Sequence, residues 1–394
     1  MRERNWQTVR LGDVADVQSG GTPQVTESQY WGGDIPWYSS GELNTTFTNE
    51  SNKYITKSGL ENSNAKLFPK GSLLIGMYDT AALKMSILDR DAAFNQAICG
   101  IKPSKHIDLL FVLQAITLNR DYILCQRRGV RQKNLNLTKI KDIQVPLPPL
   151  PEQQRIVAIL DEAFEGIAKA KANAEQNLKN AREVFESHLQ AVFSQRGEGW
   201  IGKTLRQIAV DFGRGKSKHR PRNDPRLYGG PYPFIQTGDV RNSEHMITEF
   251  TQTYSEVGLS QSKLWPKGTL CITIAANIAE TGILNFDACF PDSVIGIIVD
   301  ENQSNNVFLE YLLQATKTVL KAKGKGSAQD NINLGTFENE IFFFPKLAAQ
   351  NIIARQLDEL SAETQRLESI YQRKIAALDE LKKSLLHKAF SGEL

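Results

Sequence analysis

The chain has 394 residues, with 47 Lys and Arg against 44 Asp and Glu, so its formal net charge is only +3. This near balance neither indicates nor excludes a nucleic-acid partner, so any such argument must rest on local clusters of charge. The length predicts two or three hydrophobic cores. The sequence has neither an apolar run that could cross a membrane nor a secretion signal at its charged start, so a cytoplasmic protein is expected.

The first 150 residues predict a β-rich α+β head. Short apolar runs such as residues 72–78 are punctuated by Gly, Pro, Asn and Asp, a pattern typical of short strands and turns. Residues 109–124 place apolar side chains three and four positions apart, which predicts a helix. A Pro-rich segment ends the head, and its last proline, Pro151, suits a first helical position because the missing N–H is not needed there.

A long helix is predicted over residues 151–196, and about 40 residues at 1.5 Å each would reach roughly 60 Å. Its apolar positions recur at alternating steps of mostly four and three, in a seam formed by Ile156, Leu160, Ala163, Ile167, Ala170, Ala174, Leu178, Ala181, Phe185 and Leu189. Such a narrow heptad stripe buries best against another long helix.

The second half of the chain repeats the first at a shift of 197 residues. The segment Leu-Phe-Pro-Lys-Gly-Ser-Leu at 67–73 returns as Leu-Trp-Pro-Lys-Gly-Thr-Leu at 264–270, and the same register holds along the whole chain. A constant register indicates duplication. A second head is therefore predicted over residues 197–347, with a second long helix over residues 348–394.

The second copy also contains counterparts of the first head's strand and helix, at 269–274 and 307–322. Its long helix has a seam of Ile353, Leu357, Leu360, Leu367, Tyr371, Leu378, Leu381 and Leu385, with Thr364 and Lys374 filling two positions. Because the alanines of the first seam match the larger leucines of the second, we expect the two helices to pack on each other within the molecule. The predicted fold is α+β, with two duplicated β-rich heads separated by two long antiparallel coiled-coil helices. The alternatives are helices that merely end each domain, or a coil between two copies of the chain.

Catalytic signatures are not found in the sequence. Residues 215–217, Gly-Lys-Ser, resemble the end of a phosphate-binding loop, but Val210 stands where that loop needs Gly. No histidine has a nucleophile or carboxylate partner by spacing, and no zinc spacing is present. The four cysteines lie in unrelated contexts and are expected to be small buried residues: Cys99, Cys125, Cys271 and Cys289. The pattern favours binding over catalysis.

Basic clusters at related places in the two heads are the candidates for DNA binding. Lys and Arg in loops gain affinity by neutralising phosphates, whereas Arg, Asn and Gln can also read base edges. The candidates are Tyr38, Ser39, Ser40, Arg127, Arg128, Arg131, Gln132, Lys133, Asn134, Arg214, Lys216, Lys218, Arg220, Gln236, Thr237, Lys321, Lys323, Lys325, Gln329 and Asn331. A solvated surface explains any single cluster about equally well, and structural turns equally explain the segments at 38–42 and 235–239.

Several segments resemble one known family. Residues 145–161 look like the central region of type I restriction–modification specificity subunits, and residues 385–394 are similar to their usual C-terminus. The head opening, at 9–15 and 19–23, is likewise typical of them. The similarity covers the full length, with two heads and two helices in the same order.

This resemblance implies that each head is a target-recognition domain reading one half of a bipartite double-stranded DNA site, and that the chain is not catalytic. The helices would set the half-site spacing, about one turn of duplex or roughly 34 Å, and would dock two modification subunits. The docking candidates are Glu152, Gln153, Gln154, Arg155 and Phe390. The modification subunits would methylate adenine from S-adenosylmethionine, and restriction subunits would use ATP and Mg²⁺, so no cofactor is expected in this chain. Residues 345–351 lack the Pro-rich run of the first copy, so unequal docking is expected.

Three alternatives remain open from the sequence. The chain could serve a methylation-only complex without cleavage, or it could be a scaffold whose duplicated heads bind proteins. A nuclease or NTPase comes last, because no motif supports it.

Overall fold

A computed structural model describes residues 6–125, 134–218, 221–275, 278–324 and 334–394. The chain forms two compact units, Met1–Ala174 with Arg373–Leu394 and Glu175–Gln372. Each unit therefore contains one head, part of the long helix that follows that head and part of the other long helix.

The first head combines three sheets with short helices. Its strands are β1 (Thr8–Arg10), β2 (Val17–Ser19), β3 (Trp31–Tyr38), β4 (Lys53–Ile55), β5 (Leu73–Gly76), β6 (Met85–Ile87), β7 (Ala93–Phe94), β8 (Ile98–Ile101) and β9 (Gln144–Pro146). Its helices are α1 (Leu11–Val14), α2 (Lys57–Glu61), α3 (Leu109–Leu118), α4 (Arg120–Cys125) and α5 (Leu137–Lys141). The largest sheet has the antiparallel order β2-β8-β5-β6, beside β4-β3-β7 and β1-β9. Both β5 and β8 are buried along their whole length, which explains their unbroken apolar sequence.

The second head repeats this plan after the long helix α6 (Leu150–Ser194). Its strands are β10 (Ile201–Lys203), β11 (Ala209–Arg214), β12 (Tyr228–Phe234), β13 (Met246–Ile247), β14 (Gln252–Tyr254), β15 (Leu270–Thr273), β16 (Thr281–Leu284), β17 (Val294–Val299) and β18 (Phe342–Phe344). Its helices are α7 (Thr237–Asn242), α8 (Glu256–Ser260), α9 (Asn306–Gly324) and α10 (Leu334–Asn339), and the second long helix α11 (Leu347–Ser391) follows. The main sheet has the order β11-β17-β15-β16-β13, beside β12-β14 and β10-β18.

The duplication predicted from the sequence is confirmed by matching backbone details. Gly71 and Gly268, 197 positions apart, have left-handed backbones with φ of +84° and +87°, a region that favours glycine. Phe68 and Trp265, also 197 apart, are fully buried, and each forms an isolated bridge to an alanine of its own head. The predicted head helix of the second copy is continuous, whereas that of the first is interrupted at Asn119, which caps α3.

Both long helices have 45 residues. Every predicted seam residue of α6 is buried or half-buried. The seam of α11 departs from the prediction near its C-terminal end, because Leu381 is 47% exposed and Lys374 is exposed. Ile375 is half-buried in place of Lys374, while Leu378 is half-buried as predicted. A helix with 3.6 residues per turn drifts from a strict heptad pattern, and this drift moves the buried stripe by one position.

Within each unit the two long helices run antiparallel. In the first unit Lys171 Nζ lies 2.7 Å from Asp379 Oδ1, while Arg155, earlier in α6, donates to the backbone oxygen of Leu394 at 2.7 Å. In the second unit, the next ion pair along α6 joins Arg182 to Glu368 at 2.9 Å. These ion pairs are partly exposed to solvent and stabilise by only about 0–1 kcal/mol each, so the apolar seam supplies most of the packing energy.

Candidate nucleic-acid interface

The basic loop of the second head begins where β11 ends, at Arg214. Its guanidinium donates to the backbone oxygen of Asp292 at 2.8 Å, and Arg222 binds both carboxylate oxygens of Asp292 at 3.0 Å. Gly215 lies so close to the segment before β17 that an added Cβ would stand 2.1 Å from the carbonyl oxygen of Phe290. Asp292, which sequence reasoning did not single out, therefore holds both ends of this loop.

Two lysines project from the braced loop. The backbone N–H of Lys218 donates to Gln261 Oε1 at 2.6 Å, and Ser262 Oγ donates to the backbone oxygen of Lys216 at 2.8 Å. Both lysine side chains are exposed and have no ion-pair partner among the described residues. The loop therefore presents two cations on a fixed backbone, as phosphate binding requires. Arg220 lies outside the described residues.

The other two basic clusters occupy equivalent positions in the sequence of their heads. One cluster lies between α4 and α5 and the other between α9 and α10. The DNA-binding candidates in these clusters that lie outside the described residues are Arg127, Arg128, Arg131, Gln132, Lys133, Lys325, Gln329 and Asn331. Asn134 follows the first cluster and is half-buried, and Lys323 lies in α9. Lys321 Nζ stands 3.3 Å from Glu280, which also binds Lys317 at 2.5 Å. A phosphate would have to compete with this carboxylate for Lys321.

The predicted DNA-binding residues in the turn after β3 make contacts within the protein. Tyr38 is 1% exposed and its hydroxyl donates to the backbone oxygen of Asn49 at 2.6 Å, so the prediction that it contacts DNA is wrong. Burial raises the pKa of this phenol. The backbone N–H and hydroxyl of Ser39 both donate to Glu42 at 2.7 Å, in a capping box around the half-buried Ser40.

The equivalent turn in the second head uses the same chemistry. The backbone N–H of Gln236 donates to Asp239 Oδ2 at 2.8 Å, and a capping box starts α7. Thr237 is the half-buried first residue of that helix. Of the two explanations open from sequence, a structural turn accounts for both segments.

Most of the docking candidates gather where α6 starts and the chain ends. Arg155 forms an ion pair with Glu152 at 2.8 Å in addition to its bond to Leu394. The ring of Phe390 packs on Phe111 of α3 with 4.9 Å between centroids, so it is half-buried within the unit. Gln154 is exposed.

Gln153 has a different role from the one predicted. Its side chain is fully buried, its Oε1 accepts from the backbone N–H of Asp108 at 2.8 Å, and its Nε2 donates to the backbone oxygens of Pro148 at 2.8 Å and His106 at 3.1 Å. It therefore joins head and helix and is not available to a partner. Gln350 makes the equivalent contacts to Asn305, Pro345 and Gln303 in the second unit.

A buried charged cluster in the second unit was missed by sequence reasoning. Glu310 of α9 is fully buried, accepts from Thr281 and Gln314 at 2.6 Å, and lies 2.9 Å from His245 Nδ1. Burial disfavours the charged imidazole, but the hydrogen bond and charge of Glu310 outweigh it and raise the pKa of His245. The equivalent residue in the first head is Leu113, so this cluster belongs to one head only.

Cysteine burial is also uneven. Cys99, Cys271 and Cys289 are buried as predicted, and burial raises the pKa of Cys99 to about 12. Cys125 is exposed at the end of α4, so the prediction of a buried residue is wrong there.

Within the described ranges, no set of three or more His, Cys, Asp or Glu has a geometry suited to a metal ion. In that same part of the chain no helix combines the length and apolarity needed to cross a membrane.

Comparison with known families gives matches in both halves of the chain. The model of the type I restriction modification DNA specificity domain matches residues 3–179 and again residues 198–375. The EcoR124I/EcoR124II specificity subunit of a type I restriction enzyme from Escherichia coli is 30% identical over 41% of this chain, an alignment that spans 41% of that relative. The MjaIX specificity subunit of Methanocaldococcus jannaschii is 25% identical over 99% of this chain and 94% of its own length.

Solved structures show the same fold. A chain from a study of complex assembly and conformational transition in the type I R-M system superposes with a TM-score of 0.80, at 18% identity and 99% coverage of both chains. The HsdS subunit of Thermoanaerobacter tengcongensis gives a TM-score of 0.69 at 18% identity, covering 99% of this chain and 98% of its own. The duplicated α+β architecture is therefore a known one.

Proposed function

This chain belongs to the family of type I restriction modification DNA specificity proteins, and from that membership we propose that it selects the DNA sequence on which a type I restriction–modification complex acts. Each head reads one half of a bipartite target. The observation that carries this proposal is the duplication itself, because the same head occurs twice and each copy leads into a 45-residue helix. The chain contributes recognition, and the chemistry belongs to its partners.

Two covalently linked heads give a physical advantage. After one head has bound its half-site, the other is held near its own half-site at a high effective concentration, so two weak interactions act as one strong one. We assign recognition to residues 1–150 and 197–347, and spacing and docking to residues 151–196 and 348–394. Base pairs between the half-sites go unread, since no side chain reaches them.

The partners are proposed on the basis of the same family membership. Two modification subunits dock on the long helices, near Glu152, Gln154, Arg155 and Phe390 for the first. They take the methyl group for adenine N6 from S-adenosylmethionine, while restriction subunits use ATP and Mg²⁺ to translocate and cleave DNA. The second docking site differs, because residues 345–351 do not repeat the Pro-rich run.

The test uses the full chain together with its modification subunits and a library of randomised DNA. The expected result is a bipartite motif with a methylated adenine in each half. No sequence preference at moderate salt would falsify the proposal.

The cations of the second head provide a sharper test. Replacing Lys216 and Lys218 with Ala should weaken binding to all sequences alike and flatten the salt dependence, by about 0.9 in the log–log slope for each phosphate that the variant no longer neutralises. The matched control replaces both residues with Arg, which keeps the charge and should keep the slope. An unchanged slope in the alanine variant would remove this loop from the interface.

A further inference from the structure

The first head has a polar cleft at the place where the second head presents its basic loop. The cleft has a volume of about 470 Å³ and opens beside the end of β2. It is lined by Ser19, Gly20, Gly21, Thr22, Asn64, Lys66 and Gln96. Of these residues only Ser19, Gly20, Gly21 and Thr22 lie in a segment with a recognisable sequence motif.

The floor of the cleft is a fixed piece of backbone. Gly21 donates its N–H to the backbone oxygen of Phe94 at 2.9 Å, and its own carbonyl oxygen accepts from the indole of Trp37 at 3.0 Å. An added Cβ would stand 2.2 Å from the carbonyl oxygen of Phe94 at Gly20, and 2.2 Å from the backbone of Asn64 at Gly21. No side chain fits at either position, because the chain's own backbone fills that space, so the two glycines hold the floor tightly against Phe94 and Asn64.

Two amides and one cation surround that floor. Thr22 Oγ1 donates to Gln96 Oε1, which fixes the oxygen and leaves the Nε2 donors directed elsewhere. Gln96, Asn64 and Lys66 are exposed, and the side chain of Asn64 makes no hydrogen bond with the described part of the protein. The cleft therefore offers donors and acceptors on a rigid support.

The equivalent place in the second head has different chemistry on the same backbone. Gly215 contacts Phe290 as Gly20 contacts Phe94, with an added Cβ 2.1 Å from the carbonyl oxygen. Two positions after each phenylalanine stand Gln96 in the first head and Asp292 in the second. Asp292 there braces the arginines of the basic loop.

The position of Asn64 is equally divergent. Its equivalent, Gln261, accepts from the backbone N–H of Lys218 and so belongs to the support of the basic loop. A fixed scaffold with exchanged polar groups is the arrangement expected of two surfaces that read different base sequences.

We infer that Asn64 and Gln96 read base edges in the half-site bound by the first head, that Thr22 positions Gln96, and that Lys66 binds a neighbouring phosphate. The inference rests on the proposed function and names the residues that carry it out in one head. A carboxamide carries one acceptor and one donor side by side, which matches N6 and N7 of adenine in the major groove. The bond from Thr22 uses one lone pair of Gln96 Oε1 and leaves the other for the adenine amino group.

The experiment compares variants of the full chain, each assembled with its modification subunits, by selection from DNA randomised in both half-sites. Gln96→Ala and Asn64→Ala should each lose discrimination at one or two base positions of one half-site, by about 5- to 150-fold, while the other half-site is read as before. Thr22→Val should relax the same position as Gln96→Ala without changing the thermal midpoint. The matched control is Gln24→Ala, since Gln24 is an exposed amide of the same head outside the cleft.

The outcomes separate this inference from the proposed function. If the wild-type complex selects no sequence, the proposed function fails. If the wild type selects a bipartite motif and both alanine variants select the same motif, the inference is overturned and the proposed function stands.

Lys66 supplies a separate check. Lys66→Ala should weaken binding to all sequences uniformly, and a uniform loss from Gln96→Ala or Asn64→Ala would instead assign the amides to phosphates and overturn base reading. The isosteric variants Gln96→Glu and Asn64→Asp repeat the comparison if an alanine variant unfolds.

Discussion

Replacing Gln153 with Ala removes a buried connection between the first head and its helix. The side chain makes three hydrogen bonds, one from the backbone N–H of Asp108 at 2.8 Å and two to the backbone oxygens of Pro148 and His106. All three partners are backbone groups that precede α6. Loss of these hydrogen bonds should affect both the angle at which α6 leaves the head and the stability of the first unit.

The magnitude follows from the number of hydrogen bonds and their burial. Each of three hydrogen bonds contributes about 1 kcal/mol net, and a donor left without a partner in a partly buried site costs about 1–3 kcal/mol unless water replaces the missing acceptor. We therefore expect the Gln153→Ala variant to lose about 2–4 kcal/mol of unfolding free energy. Asp108 is only half-buried, which favours the lower part of that range.

The assay is urea denaturation of the full chain, with hydrogen exchange at the Asp108 amide as a local probe. Gln154→Ala is the matched control, because Gln154 is exposed and should cost less than about 0.5 kcal/mol. Gln350→Ala should produce a similar loss in the second unit, since Gln350 makes the equivalent bonds. If Gln153→Ala unfolds within about 0.5 kcal/mol of its control and its Asp108 amide stays protected, the reasoning is refuted.

Three further predictions concern pH, thiol chemistry and the helix seam. Glu310 raises the pKa of His245 above its ordinary value of about 6.5, so the pair stabilises the fold fully below pH 6.5, and its contribution falls as the pH rises through the folded pKa. When the free energy of unfolding is measured against pH, a His245→Gln variant should lack this loss of stability. A variant with the same pH profile as the wild type would contradict the prediction. Native protein should react with a maleimide at Cys125 and much more slowly at its three buried cysteines, which peptide mass mapping would check, with equal rates as the contrary result. Leu378→Ala should lower the free energy of unfolding by about 1–3 kcal/mol, and Leu381→Ala by less than about 0.5 kcal/mol, because Leu381 is 47% exposed. Equal losses in the two variants would show that Leu381 is buried in the seam as the strict heptad predicted.

The heads show how far sequence reasoning reaches. The repeat at 197 residues predicted two copies of one domain, and the glycine pair Gly71 and Gly268 shows that even a left-handed turn was copied. The strand at 269–274 and the helix at 307–322 were placed correctly because the spacing of their apolar residues depends only on neighbouring positions in the sequence. The interruption of the first helix at Asn119 was not foreseen, since one polar residue with good local spacing gives little signal.

The α11 seam failed for a different reason. The predicted heptad placed Lys374, Leu378 and Leu381 on the buried face, but only Leu378 is half-buried, and Ile375 takes the place of Lys374. Which side of a helix is buried near its end depends on the partner helix and on the small difference between 3.5 and 3.6 residues per turn. Spacing along one chain segment does not contain that information.

The candidate site was less predictable than the fold. Basic residues could be picked from sequence, and Lys216 and Lys218 lie exposed on a braced loop, but their contact with DNA stays a prediction. Tyr38 and Gln153 were chosen for their residue type and turned out to be buried. The cleft with Asn64 and Gln96 was missed, because no motif joins residues 32 positions apart.

Residue order alone establishes that this protein is a doubled head-and-helix chain, since duplication and helical periodicity can be read without any knowledge of contacts. Which polar side chains face outward and which hold the fold together is settled only when the chain folds. Gln153 finds its partner Asp108 across 45 residues of chain, and Glu310 reaches His245 across 65. The free energy of a polar group depends on whether it meets water or a buried partner, and folding brings that partner from a distant part of the sequence.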